Sequence, residues 1–294
     1  MLCLPFLAAC APKEPSAPAV KPARPKLVIG LIPEQNIFRQ IERYGPLMDY
    51  LGEKAGVKFE LKVLPRYGNI VDHFKSLELD GAFFGSFTYA LAHRRMGVTV
   101  LARPENLKGA STYHGMIFVR KDSGIQSAKD MKGKRMAMVD KATTAGYLLP
   151  LAFFRENGIT DHGKFLKEVY FTGTHEDAIR DVLERKADIG AAKNTIYERI
   201  LSGDPHVGLL LRVLAVSPDV PENGLAVRKD LDKDLAGKIR DALLAMDRDP
   251  DGAGVLRDFG ARKFIETGDK DYDPVYRYAR EANIDLATYD YLND

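Results

Sequence analysis

The sequence predicts an α/β chain folded as two similar lobes, each a mainly parallel sheet flanked by helices, with the chain crossing twice between them. Three observations carry this. Short apolar runs alternate with helically spaced segments in the order strand, helix, strand, the signature of βαβ units. An aspartate followed by a short apolar run containing glycine stands where a helix gives way to a strand, at Asp80-Gly81-Ala82 and again at Asp188-Ile189-Gly190-Ala191. The tetrapeptide Val-Arg-Lys-Asp also occurs twice, at residues 119–122 and 227–230, each time after an apolar run.

In chain order, residues 27–31 form an apolar strand ahead of Pro33, and residues 38–54 carry helical spacing through Ile41, Leu47, Met48 and Leu51. Residues 59–63 alternate like a strand, and a helix over 70–77 feeds the apolar run 79–85. Further on, 136–139 reads as a strand, 148–154 as an apolar helix, 168–171 as a strand, and 178–185 as a helix feeding 187–191. Residues 230–246 give an amphipathic helix and 250–294 a largely helical ending. The recurrences assign residues 26–117 and 218–294 to lobe 1 and residues 118–217 to lobe 2. Two crossings make a hinge, and the cleft between the lobes is the expected ligand site.

Composition narrows the function. The 294 residues carry 43 basic and 41 acidic side chains, a formal charge of +2, too balanced for a surface that grips nucleic acid through many phosphates. No window approaches the roughly 20 apolar residues needed to span a bilayer. Residues 1–10 instead read as a lipoprotein signal: an apolar stretch ends in Leu7-Ala8-Ala9-Cys10, with small residues for a signal peptidase and a thiol at Cys10 to accept a lipid. No Lys or Arg precedes the stretch, unlike a usual export signal. Cys3 and Cys10 are the only cysteines, so the body has no disulfide, thiol nucleophile or cysteine metal site. Residues 11–25, rich in Pro, Ala and Lys, are expected to be a flexible tether.

The most informative local sequence is Thr143-Thr144-Ala145-Gly146, between the strand at 136–139 and the apolar helix. Either threonine can cap a helix start. Such a start is also an anion site, because free N–H groups and the positive end of the dipole point the same way. Gly146 lets the backbone approach closely, and Pro150, lacking an N–H, isolates the first turn. A simple structural cap is the alternative. His175 follows a strand just as a helix begins, where it could donate an imidazole N–H or serve as a cap. Tyr67 and Tyr113 stand at strand ends, where their phenols could donate or merely pack. Phosphate-loop, dinucleotide-binding, nucleophile-elbow and paired-histidine patterns are absent from the sequence.

These residues together resemble the periplasmic phosphate, phosphite and phosphonate-binding proteins of ATP-driven (ABC) importers. The likeness runs through residues 27–33, 44–51, 80–85 with Tyr89, 123–140, the Thr-Thr-Ala-Gly turn, His175, 187–191 and 264–274. It implies the two-lobed type II periplasmic binding protein fold and an extracytoplasmic, non-enzymatic protein without cofactor or metal. It further implies a monomer, tied to the periplasmic side of a membrane through Cys10, that delivers its ligand to an ABC permease and ATPase. The family's Ser-Thr-Ser-Gly turn, histidine and two tyrosines carry over to Thr143, Thr144, Ala145 with Gly146, His175, Tyr67 and Tyr113. Ala145 departs from the pattern and supplies only a backbone N–H. Members that take aminoalkyl phosphonates place carboxylates at positions that correspond here to Thr195 and Asn223. Neither is acidic, so a compact anion such as phosphate, phosphite or a small phosphonate is expected, with Glu222 leaving the aminoalkyl case open. A ligand-responsive accessory protein of a membrane sensor kinase, and a secreted phosphoesterase using His175, are the competing readings. Nothing in the sequence supplies a nucleophile or metal for the second.

Overall fold

Strand and helix alternate from the start of the folded region. The computed structural model describes residues 24–76 and 79–293. The leader with Cys10 and tether residues 11–23 lie outside the described residues. The chain begins with β1 (Lys26–Leu31), α1 (Ile37–Ala55), β2 (Lys58–Val63), α2 (Asn69–Ser76), β3 (Gly81–Phe84), α3 (Ser86–Met96) and β4 (Thr99–Asn106). It crosses through β5 (Thr112–Tyr113) into β6 (Gly115–Arg120) and β7 (Arg135–Met138). A wide π-type turn (Thr144–Leu148) then runs into α4 (Leu149–Glu156), followed by α5 (His162–Phe165), β8 (Glu168–Phe171) and α6 (His175–Leu183). Next come β9 (Ile189–Lys193), α7 (Asn194–Gly203), α8 (His206–Leu210) and β10 (Leu211–Val216). The chain returns through β11 (Val220–Pro221) to β12 (Gly224–Val227), α9 (Lys233–Ala245), α10 (Pro250–Phe259), β13 (Ala261–Glu266) and α11 (Asp273–Glu281).

The strands form one sheet per lobe, in the orders β13-β4-β12-β3-β1-β2 and β10-β6-β9-β7-β8, and the crossings β5 and β11 pair antiparallel as a two-stranded ribbon. In the first sheet β1, β2 and β3 pair in parallel while β12 opposes both neighbours. In the second, β7, β8 and β9 are parallel while β6 opposes both neighbours. In each lobe, then, the strand that enters directly from a crossing is inserted against the run of the sheet. This is the two-lobed type II arrangement the sequence predicts.

Both repeated motifs fall at equivalent places. The Asp80 N–H donates to Val28 O at 2.9 Å while its carboxylate accepts the Val28 N–H at 2.8 Å. Asp188 does the same with Arg135, at 3.0 and 2.9 Å. Each aspartate so locks a parallel neighbour, β1 in one lobe and β7 in the other, beside the strand it introduces. The two Val-Arg-Lys-Asp segments leave the ends of β6 and β12, and in both the arginine pairs with its own aspartate, Arg120 with Asp122 at 3.0 Å and Arg228 with Asp230 at 2.9 Å.

The ending departs from the helical expectation: β13 lies inside it, an edge strand on β4. Only Ala261 and Phe264 of this strand are fully buried, which leaves a weak alternation between two helices. The helix expected over 178–185 starts earlier, at His175, and stops at Leu183 because Arg185 turns to φ +63°. One apolar cluster runs through both lobes, from Phe84 and Phe87 to Phe118 and Val139, so the lobes are packed together rather than splayed. No helix among the described residues is long and apolar enough to cross a membrane.

Candidate ligand-binding site

The site gathers at the carboxyl ends of the parallel strands, where open α/β sheets place their ligands. In lobe 2, β7 ends in the turn that holds the threonine pair. The Thr143 N–H and hydroxyl both donate to Asp140 O, at 2.9 and 2.7 Å, and the Asp140 carboxylate accepts the Ala142 N–H at 2.8 Å. The helix that follows opens wide: Leu149 N–H bonds Thr144 O, five residues back. Pro150 has no N–H to give Gly146 O, which accepts from Val139 N–H at 3.3 Å instead. A Cβ on Gly146 would stand 2.5 Å from Val139 Cβ, so the close approach this glycine permits is to the strand end. The first amides of such a helix have no carbonyl within it to bond.

Lobe 1 presents a second helix start to the first. α3 opens after Gly85, and the Phe87 N–H donates across the lobes to Thr144 Oγ1 at 2.9 Å. Ser86 Oγ donates to Pro221 O in the returning crossing at 2.5 Å. The Tyr113 phenol lies beside the Ser86 and Thr144 hydroxyls. Burial holds its pKa above the ordinary value against the opposing pull of Lys193 and those hydroxyls.

His175 heads α6 and is 3% exposed. Its Nδ1 accepts the Lys193 backbone N–H at 3.3 Å, which puts the imidazole proton on Nε2. Burial pulls this histidine down to about 3, so it is neutral at physiological pH. The Tyr67 ring meets it edge-on, with centroids 5.8 Å apart. Tyr67 is 2% exposed, and its hydroxyl has no hydrogen-bond partner among the described residues. A buried donor left in that state costs about 1 to 3 kcal/mol unless something accepts from it.

Beside the Tyr113 ring the character of the site changes from neutral donors to charge. Lys193 Nζ lies 4.3 Å from the ring centroid, 3.0 Å from Glu34 Oε1, 3.1 Å from Asn223 Oδ1, and against Glu222 Oε1. Burial alone would raise the Glu34 carboxyl, yet the Lys193 ammonium above all brings it down to about 2. Burial would likewise lower Lys193, but Glu222 and Glu34 outweigh it and hold the ammonium above its ordinary pKa. Glu34 and Lys193 are therefore both charged.

Of the residues expected from sequence, Tyr67, Tyr113, Thr144, His175 and Asn223 join this network. Thr143 spends both its donors on Asp140. Ala145 is buried, its backbone against Gly115. Thr195 lies apart from the network, in a surface groove with Arg39, Arg43, Glu198 and Arg199. Glu34, Ser86, the Phe87 amide and Lys193 were not foreseen. Ser86 could have been found, since a small polar residue follows Gly85 where a strand gives way to a helix. Glu34 and Lys193 carry no such local signal.

Residues 29–272 match the family described as ABC transporter, phosphonate, periplasmic substrate-binding protein. The chain belongs to this family. As a member it is a periplasmic substrate-binding component of phosphonate or phosphate transport. It is 24% identical over 257 residues to the phosphonates-binding periplasmic protein of Escherichia coli K12, covering 86% of this chain and 74% of that one. Its fold matches a binding-protein component of an ABC phosphonate transporter from Pseudomonas aeruginosa with a TM-score of 0.82 at 23% identity, covering 88% of this chain and 87% of that one. It also matches PhnD1 of Prochlorococcus marinus (MIT 9301), solved with methylphosphonate, with a TM-score of 0.78 at 22% identity, covering 88% and 98% of the two chains. Within the family fold, the two helix starts and the neutral donors lie together at the junction of the lobes.

Proposed function

We propose that this chain captures a compact phosphorus oxyanion, such as phosphate, phosphite or a small alkylphosphonate, between its lobes and delivers it unchanged to an ABC permease. The observation that carries the reading is the Tyr67 hydroxyl, a buried donor without an acceptor among the described residues, beside a neutral His175 whose proton is on Nε2. The opening amides of the Thr144 turn and the hydroxyls of Thr144 and Tyr113 complete a set rich in donors. An anion is the chemistry such a set accepts, and aligned helix N–H groups stabilise it without a formal positive charge. Thr144 already links the lobes through Phe87, so an anion taken there favours the closed arrangement a permease would recognise. A lipid on Cys10 would hold the protein at the membrane, and Cys10→Ala is expected to release it into the soluble fraction.

Calorimetric titration of the mature protein with phosphate, phosphite and methylphosphonate tests the reading. Saturable binding of at least one supports it; no heat with any of them, at concentrations up to the millimolar range, overturns it.

A further inference from the structure

Lys193 closes β9, and its side chain, 4% exposed, crosses from lobe 2 to Glu34 of lobe 1 and to Glu222 and Asn223 at the returning crossing. An ammonium has three N–H bonds. Here it meets three acceptors, Glu34 Oε1, Glu222 Oε1 and Asn223 Oδ1, and its remaining side lies over the Tyr113 ring. Nothing is left to give an oxyanion. The lysine next to the donor set is thus fully engaged, and it binds carboxylates rather than ligand.

The local charge points the same way. A buried carboxylate, Glu34, and a partly buried one, Glu222, face one ammonium, and burying a carboxylate without a cation is costly. Glu34 and Glu222 would form a site for a positively charged group if the chain did not bring its own. The lysine they hold lies over the Tyr113 ring, and the Tyr113 hydroxyl touches Thr144. A ligand whose anionic end sits at Thr144 and whose tail carries an ammonium would therefore have to compete with Lys193 for the same carboxylates.

We infer that Lys193 is a specificity-determining residue: a built-in cation that fills the carboxylate end of the cleft and restricts the ligand to oxyanions without an ammonium tail. The inference rests on the oxyanion reading above and goes beyond it by naming the residue that excludes a ligand class. It also corrects the sequence expectation, in which the lack of acidic residues at Thr195 and Asn223 was the reason for exclusion. The carboxylates are present, and the chain occupies them itself.

The test compares 2-aminoethylphosphonate with ethylphosphonate, two probes of similar size differing in the ammonium, on wild type and Lys193→Ala by calorimetry. Wild type is expected to bind ethylphosphonate or methylphosphonate and to bind the aminoethyl compound at least tenfold more weakly than the ethyl compound. In Lys193→Ala that ratio is expected to fall at least tenfold. An unchanged ratio in the variant, or a wild type that already prefers the aminoethyl compound, overturns the inference while leaving the oxyanion reading intact. A wild type blind to phosphate, phosphite and every phosphonate overturns both. Because Lys193→Ala leaves two unpaired carboxylates, Lys193→Ala/Glu222→Gln is measured alongside; it keeps Glu34 for the ligand ammonium, and the same fall in ratio is expected.

Discussion

The two ends of the candidate site solve burial in opposite ways. At the charged end, Lys193, Glu34, Glu222 and Asn223 satisfy one another, and the cluster is closed within the chain. At the donor end, the Tyr67 hydroxyl has no acceptor among the described residues and the Thr144 hydroxyl meets a second helix start. The difference teaches where a ligand belongs. Charge alone would place an anion at Lys193, the only buried lysine among the described residues, whereas the hydrogen-bond count favours the neutral donors for the proposed ligand.

The largest expected effect breaks the charged end. Lys193→Met leaves the buried Glu34 and the partly buried Glu222 without a cation and is expected to destabilise the fold by about 3 to 5 kcal/mol in urea unfolding. Removing the carboxylates as well, in Lys193→Met/Glu34→Gln/Glu222→Gln, is expected to restore most of that. A triple variant no more stable than the single one would mean the cluster matters for packing and not for charge.

Acid sharpens the comparison next. His175 is held near 3 in the fold against 6.5 when unfolded, so the unfolded chain gains a proton that the folded chain refuses. Its contribution is complete above pH 6.5 and erodes as pH falls towards 3, by up to about 1.4 kcal/mol per pH unit, or about 2 kcal/mol between pH 6.5 and 5. Glu34, held near 2 against 4.5, keeps its contribution above pH 4.5 and loses it as pH falls through that range. Unfolding free energy measured from pH 7.5 to 2 should therefore bend downward in two stages. His175→Gln should flatten the first; a wild-type curve level down to pH 5 would contradict the buried neutral imidazole.

The two threonines give the smaller tests. Thr144→Val is expected to weaken oxyanion binding by about 1 to 3 kcal/mol, since it removes both a donor to the anion and the acceptor of the buried Phe87 N–H. Thr143→Val should lower stability by about 1 kcal/mol through the lost bond to Asp140 O and leave affinity unchanged. Equal affinity losses in the two would show that the hydroxyl of Thr143 also reaches the ligand.

Much of this was legible in the residues. The strand and helix order, the paired aspartates and the paired Val-Arg-Lys-Asp segments are local patterns, and the fold keeps them at matching places in each lobe. The Thr-Thr-Ala-Gly turn and His175 were visible because helix starts announce themselves in sequence. What escaped was whatever depends on distant pairing. Glu34 and Lys193 are 159 residues apart and look like ordinary surface charges until the lobes meet. The strand β13 escaped because its buried residues are few and helices flank it on both sides. Thr195 was expected at the site by correspondence with relatives, yet it sits one residue past the Lys193 and Asn194 pair, where the chain has turned into α7 and its side chain lines an outer groove.

The bond from Phe87 to Thr144 also makes closure observable at a single atom. In the joined lobes that amide hydrogen is buried and bonded to an oxygen of the opposite lobe. When the hinge opens, it loses that acceptor and meets solvent, because it belongs to the first turn of α3 and has no carbonyl of its own helix to fall back on. On the proposed function, deuterium uptake at Phe87 would thus report the fraction of time the lobes spend apart and is expected to slow as ligand accumulates, without any label attached to the protein.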